Sequence, residues 1–393
     1  MGRERGSGEA VRGRRKRACG RRRGARGGHG GRLGALAVAL VAATLLGGCA
    51  SVPGREALAG VSVSFETLPD APPVHDGRAA FRAVLCPLLR AEGIASADDA
   101  LCERWLWRLP DEPAPLPPRA VDLPEPRRLA VFLVTGAFSE CVGDTSRPFS
   151  AGAARLQAAG ARVETLVVGG RSGPAHNARQ IAAAIEAAGL RDDDAVIVIG
   201  YSKGALDILH FVVDFPALAG KVDAVVSVAG PVFGSPLAEV ADAAYSKLAA
   251  GLPHDRCPPG DGQVIRSLTP EVATGWLASN PLPSGVRYYS IAAFTTREHM
   301  GRALVPSWKR LGETDPQNDG QVAAADAVIP GSTLLGYTNS DHWAVAQMIE
   351  VSHPHLVARP DPTPFPREQL FMAIVQFVVA DIAQGGIVAA GAP

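Results

Sequence analysis

The sequence predicts an α/β domain built on a mostly parallel, doubly wound sheet with helices on both faces. Three observations lead there. From Leu129 onward, apolar strand-like runs alternate with Ala-rich helical segments, as expected of parallel strands joined by crossover helices. One junction, Asp194 to Leu209, reads as strand, sharp turn and helix. The stretch from Leu129 to the C-terminus, about 265 residues, is long enough to bury one such sheet.

In chain order, residues 1–48 read as a leader. Met1 to Arg32 is crowded with arginine and glycine, and Leu33 to Leu46 is apolar or small apart from Gly34 and Thr44. A run of that length suits a signal-peptide core, because a spanning helix needs about 20 residues. The run ends Leu46-Gly47-Gly48-Cys49, which resembles the lipobox of bacterial lipoproteins. That resemblance implies cleavage before Cys49, lipidation of its sulfur and attachment to the cell envelope. With Ala50 next, it implies outer-membrane sorting in a double-membrane bacterium. Residues 1–48 hold 12 basic and 2 acidic side chains, leaving 27 basic and 37 acidic in the rest, a formal charge of −10. Such an acidic body argues against nucleic acid as a partner. Membrane association is expected through the lipidated Cys49.

Residues 49–127 read as a Pro-rich N-terminal extension wrapped on the core, with a helix near Arg78 to Ala91 and a Pro-dense linker from Pro110 to Pro126. Four cysteines remain beyond the leader and Cys49: Cys86, Cys102, Cys141 and Cys257. An even count in an exported chain suggests two disulfides in one of three connectivities. Cys86–Cys102 with Cys141–Cys257 is the preferred pairing. The rival reading of Cys141 is a catalytic cysteine.

Residues 128–393 form the expected α/β domain. Its strands are predicted at Leu129–Val134, Val163–Val168, Ala195–Ile199, Ala224–Val228, Val286–Ala293 and Leu334–Tyr337, rich in β-branched and aromatic residues. Residues 239–283 form the longest insertion, a candidate cap over Ser202, and Arg367–Gln384 is expected to be a final amphipathic helix.

The turn Gly200-Tyr201-Ser202-Lys203-Gly204 follows the third of these strands, and Leu206, Leu209 and Val213 then recur at helical spacing. A serine on such a turn is held on a strained backbone with its hydroxyl exposed, as a nucleophile requires. The bland reading of the segment is a Gly-rich turn. A serine hydroxyl needs a base, and the base needs an orienting carboxylate; in this arrangement both follow the serine in the chain. Six histidines do so. His210 falls in the helix after the turn, His254 in a Pro- and Gly-rich loop, and His299 before the last strand. His342 fits best, following the run Thr333–Tyr337 and the turn residues Asn339-Ser340-Asp341, ahead of a short helix expected near Trp343. His353 and His355 are the alternatives. For the acid, Asn318-Asp319-Gly320 is a turn able to aim a short carboxylate into a cleft, with a solvated turn as its bland reading. Asp319 is favoured and Asp315 is second.

Five segments occur in the order of a known family. Gly200 to Gly204 resembles the Gly-His-Ser-x-Gly elbow of the bacterial triacylglycerol lipases and esterases of the α/β-hydrolase superfamily. Gly234-Ser-Pro-Leu-Ala238, Ser267-Leu-Thr-Pro-Glu271, Val286-Arg-Tyr-Tyr-Ser290 and Asn318-Asp-Gly-Gln-Val322 resemble the family's later motifs. The resemblance implies an α/β-hydrolase fold and a Ser202, Asp319, His342 triad, with the backbone amides of Ala137 and Lys203 as oxyanion donors and Phe138 or Ser139 as alternatives to Ala137. It also implies an ester or lipid substrate and no cofactor. The chain departs from the family at Thr135-Gly136, where His-Gly is usual, and at Tyr201, which stands where the elbow histidine would be. At Ala344 several relatives carry a calcium-binding aspartate, so no metal site is expected. The expected activity is that of a membrane-anchored, extracytoplasmic serine hydrolase of carboxylic esters. An acyltransferase using the same triad and a non-catalytic lipoprotein of the same fold are the rivals, and the oligomeric state stays open.

Overall fold

The structure is a computed structural model describing residues 68, 71–96, 102–119, 121, 123, 128–143, 147–241, 257–352, 354–356 and 364–384. The leader, Cys49, His254, His353 and residues 242–256 of the insertion lie outside the described residues.

The six expected strands are present: β3 (Leu129–Val134), β4 (Arg162–Leu166), β5 (Ala195–Tyr201), β6 (Ala224–Val228), β7 (Arg287–Phe294) and β8 (Thr333–Asn339). β4 stops at Leu166, two residues short of the expected end, and Val167 is exposed. As the edge strand it has only β3 to hold it. β3, β5 and β6 are buried on both faces, apart from a partly exposed Ala195, which is why they read as continuous apolar runs rather than alternating ones.

Two strands were not expected. β1 (His75–Asp76) pairs parallel with the start of β8, and β2 (Leu106–Trp107) pairs antiparallel with its end. The order across the sheet is β1-β8-β7-β6-β5-β3-β4, all parallel, with β2 also on β8. The N-terminal extension therefore closes one edge of the sheet. Strands of two residues carry no periodicity, so no sequence pattern announces them.

α1 (Arg78–Ala91) forms where expected, its apolar side turned to the core. Its buried Arg82 donates to both carboxylate oxygens of Glu112 and to the carbonyls of Leu106 and Trp107. A buried guanidinium satisfied by a carboxylate and by strand-end carbonyls ties the Pro-rich segment and β2 to the helix. Cys86–Cys102 and Cys141–Cys257 are disulfide-bonded.

Between strands run α2 (Ser139–Val142), α3 (Ser150–Ala158), α4 (Pro174–Ala187), α5 (Lys203–Asp214), α6 (Pro216–Ala219), α7 (Pro270–Ser279) and α8 (Val305–Leu311). α9 (Ile349–Ser352) and α10 (Arg367–Ala383) follow β8. Two expectations are corrected here. No helix begins at Trp343; residues 342–346 form successive turns, and α9 starts only at Ile349. The Asp341 carboxylate accepts from the amides of both Trp343 and Ala344, holding a tight turn there. α10 is not amphipathic: nearly every residue from Gln369 to Asp381 is buried. Phe371 packs on Phe149, and Phe377 on Phe81 of α1, so the N-terminal extension covers the face that would otherwise be solvated.

The described part of the insertion packs on the flank of α5, where Trp276 of α7 stacks on His210 with ring centroids 3.7 Å apart. A cavity of about 240 Å³ lies there, lined by Leu206, Leu209, Val232, Val272 and Trp276 among others, and none of Ser202, Asp319 or His342 lines it.

Candidate active site

The turn after β5 is built by steric exclusion. Ser202 has φ 55° and ψ −132°, a conformation non-glycine residues rarely adopt. Its neighbours must let the chain fold back. A Cβ on Gly200 would lie 2.5 Å from the Ala205 nitrogen, and one on Gly204 would lie 2.6 Å from the Val134 carbonyl oxygen. Only glycine fits at either place. The Ser202 amide donates to Val228 O at 3.0 Å, which anchors the turn to β6.

The same few ångströms bring the expected partners together. His342 Nε2 lies 2.9 Å from Ser202 Oγ, and His342 Nδ1 lies 2.7 Å from Asp319 Oδ2. An ionised carboxylate only accepts, so Nδ1 carries the proton and Nε2 is left to accept from the serine hydroxyl. Asp319 is held in turn. Its Oδ1 accepts from the amides of Gln321 and Val322 at 2.8 and 2.7 Å, and its carbonyl accepts from the His342 amide at 2.9 Å. Asp319 and His342 are buried, whereas Ser202 is partly exposed. The nucleophile candidate alone faces solvent.

The alternatives fall elsewhere. Asp315 accepts from Gln317 N, and burial pushes its carboxyl up; no bond joins it to His342. His355 sits exposed in a short 3-10 turn. His210 is set against Trp276 on the flank of α5.

The loop after β3 approaches the serine closely. A Cβ on Gly136 would lie 3.0 Å from Ser202 Cβ and 3.4 Å from its Oγ. The Phe138 amide is taken by Gly170 O at 3.0 Å, which removes it as an oxyanion donor. Among the described residues, the amides of Ala137 and Lys203 have no acceptor. Glu140 clamps this loop from below by accepting from Gly170 N through both carboxylate oxygens, at 2.7 and 2.8 Å. The Cys141–Cys257 bond ties it to the insertion.

Sequence reasoning missed two further groups. Asp341, next to His342 in the chain, is buried and accepts from Gly301, Trp343 and Ala344 amides. Burial pushes its carboxyl up, against the pull of those amides. Tyr201 donates its hydroxyl proton to the backbone carbonyl of His342 at 2.7 Å. Its position before the serine was visible, but a partner 141 residues away was not.

Several solved structures are similar to the chain. A metagenomic carboxyl esterase is similar to the chain at 35% identity and a TM-score of 0.70, with 84% of this chain and 99% of that one covered. The mature lipase BlEst2 of Bacillus licheniformis gives 20% identity and a TM-score of 0.48, covering 61% of this chain and 96% of that one. EstA from Clostridium botulinum gives 12% identity and a TM-score of 0.47, covering 66% and 89%. No protein-family model matches the chain, and no curated protein does.

Proposed function

This chain belongs to the carboxylic-ester hydrolases of the α/β-hydrolase fold, and from that premise we propose that Ser202, His342 and Asp319 perform the hydrolysis on an ester carrying a lipid or acyl chain. The observation that carries the reading is the 2.9 Å contact from Ser202 Oγ to an imidazole whose other nitrogen is held 2.7 Å from a buried carboxylate.

Ser202 Oγ attacks the ester carbonyl carbon as its proton passes to His342 Nε2. Asp319 holds the ring in the accepting tautomer and stabilises the imidazolium. Negative charge gathers on the former carbonyl oxygen, where the amides of Ala137 and Lys203 receive it; one such donor is worth about 3 kcal/mol in the transition state. The intermediate collapses, the alcohol leaves with the proton from Nε2, and an acyl-serine remains. Water then attacks the acyl carbon, Nε2 takes its proton, and the acid departs as Ser202 Oγ regains a proton.

We further propose that the enzyme is held outside the cytoplasm on a lipid anchor at Cys49. The lipobox-like Leu46-Gly-Gly-Cys49 supports that address.

Fluorophosphonate labelling of the purified protein, beside Ser202→Ala, tests the triad, with p-nitrophenyl esters of graded chain length as substrates. Labelling and cleavage are expected in the wild type and lost in the variant, with kcat down by at least about 10⁴-fold. A folded wild type that takes no label overturns the reading. The anchor is tested separately by whether Cys49→Ala moves the protein out of the membrane fraction.

A further inference from the structure

Tyr201 is the residue peptide-bonded to Ser202, yet its side chain ends on the backbone of His342. β5 and β8 are not neighbours; β6 and β7 separate them in the sheet. The phenol therefore reaches past the ends of two strands to the loop after β8. Its hydroxyl donates to His342 O at 2.7 Å, and its ring lies 5.4 Å, centroid to centroid, from the imidazole. The side chain is 2% exposed, so no water competes for the carbonyl. Burial, reinforced by Asp319 and Asp341, raises the phenol well above its ordinary value, so it is a protonated donor at neutral pH.

His342 is thus gripped at each end of its backbone. Its amide donates to Asp319 O at 2.9 Å and its carbonyl accepts from Tyr201. Asp319 holds the ring as well as the amide, so displacing the Asp319 loop would carry the imidazole with it. Among the described residues, and apart from the Nε2–Oγ contact itself, the Tyr201 bond is what refers the base to the strand that leads into the nucleophile. A phenylalanine at 201 would fill the same space and leave the carbonyl buried without its donor. The imidazole would then keep its tautomer and lose its reference to Ser202.

We infer that Tyr201 is a positioning residue for proton transfer, setting the distance between His342 Nε2 and Ser202 Oγ through the His342 carbonyl. This inference rests on the triad reading. Misplacing a reacting group by about 1 Å costs about 10²-fold in rate, so a partial displacement is worth about 10-fold or more.

The test is Tyr201→Phe in the full chain, with Tyr288→Phe as its match. Tyr288 also donates to a backbone carbonyl, that of Pro283 at 3.1 Å, and lies outside the site. Each variant is measured for kcat and KM on a short-chain p-nitrophenyl ester, for the second-order rate of fluorophosphonate labelling, and for Tm. Tyr201→Phe is expected to lower kcat and the labelling rate by about 10-fold or more, with KM within about twofold. Tyr288→Phe is expected to leave all three kinetic values within about twofold. A purely structural role would lower Tm alike in both and leave the kcat to KM split unmoved; that result overturns the inference. If Tyr201→Phe does not fold, Tyr201→Met supplies the measurement: it carries no hydrogen-bond donor and must show the same selective loss in kcat. A wild type that takes no label overturns the triad reading and this inference together, whereas wild-type labelling with an unimpaired Tyr201→Phe overturns this inference alone.

Discussion

Lys203 and Asp207 form an ion pair at 2.5 Å directly beneath the nucleophile turn, with side chains 1% and 0% exposed. Asn177 of α4 completes it, donating to the other carboxylate oxygen at 2.8 Å. Burial pushes the Asp207 carboxyl up, and the Lys203 ammonium and the Asn177 amide oppose that push. The residue whose amide is the proposed oxyanion donor thus has its side chain locked between α4 and α5.

Breaking that pair from one side leaves a charge in the interior. Lys203→Met is expected to destabilise the fold by about 3–5 kcal/mol, because the uncompensated carboxylate must be protonated or hydrated. Adding Asp207→Leu removes the stranded charge and should recover most of the loss. Urea unfolding of the two singles and the double decides it: the double must be less destabilised than the sum of the singles. Additive losses would mean the pair does not act as a unit.

The two candidate acids are separable by kinetics. Asp319→Asn cannot hold the imidazole in the accepting tautomer, and kcat for a p-nitrophenyl ester should fall by about 10³–10⁴-fold. Asp315→Asn changes a carboxylate with no bond to His342 and should leave kcat within about twofold. Equal losses in the two would remove the orienting role from Asp319.

Acid stability should carry the signature of His210. Burial first, and the nearby Lys203 charge second, push its imidazole down to about 4. The ring is therefore neutral at pH 7, and its 3.9 Å approach to Asp214 is no ion pair there. In the unfolded chain it titrates near 6.5. Between those values the unfolded state binds more protons, so the stabilisation is intact above pH 6.5 and is lost as pH falls toward 4. His210→Phe keeps a ring for Trp276 and removes the proton site. Between pH 7.5 and 4 the variant should lose about 2 kcal/mol less unfolding free energy than the wild type. Parallel curves from denaturant titration would refute this.

What the sequence determined by itself was what short stretches of chain decide. The buried run at β5, the two glycines around Ser202 and the Asn-Asp-Gly turn at Asp319 each answer a demand met within a few residues: apolar burial, the absence of a Cβ, an acidic side chain on a tight turn. α1 was legible for the same reason. Position relative to that turn, together with the family's order of motifs, also singled out His342. Only the tertiary structure decided the rest. It separated Asp319 from Asp315 as the imidazole's partner, added β1 and β2 to the sheet edge, buried α10 all round beneath α1 and α3, and joined Tyr201 to His342. Each of those depends on groups far apart in the chain, such as 23 residues for Asp319 and His342 and 141 for Tyr201 and His342. Nothing local records such a contact, because the hydrogen bond and the packing that form it exist only once the intervening strands have been laid side by side.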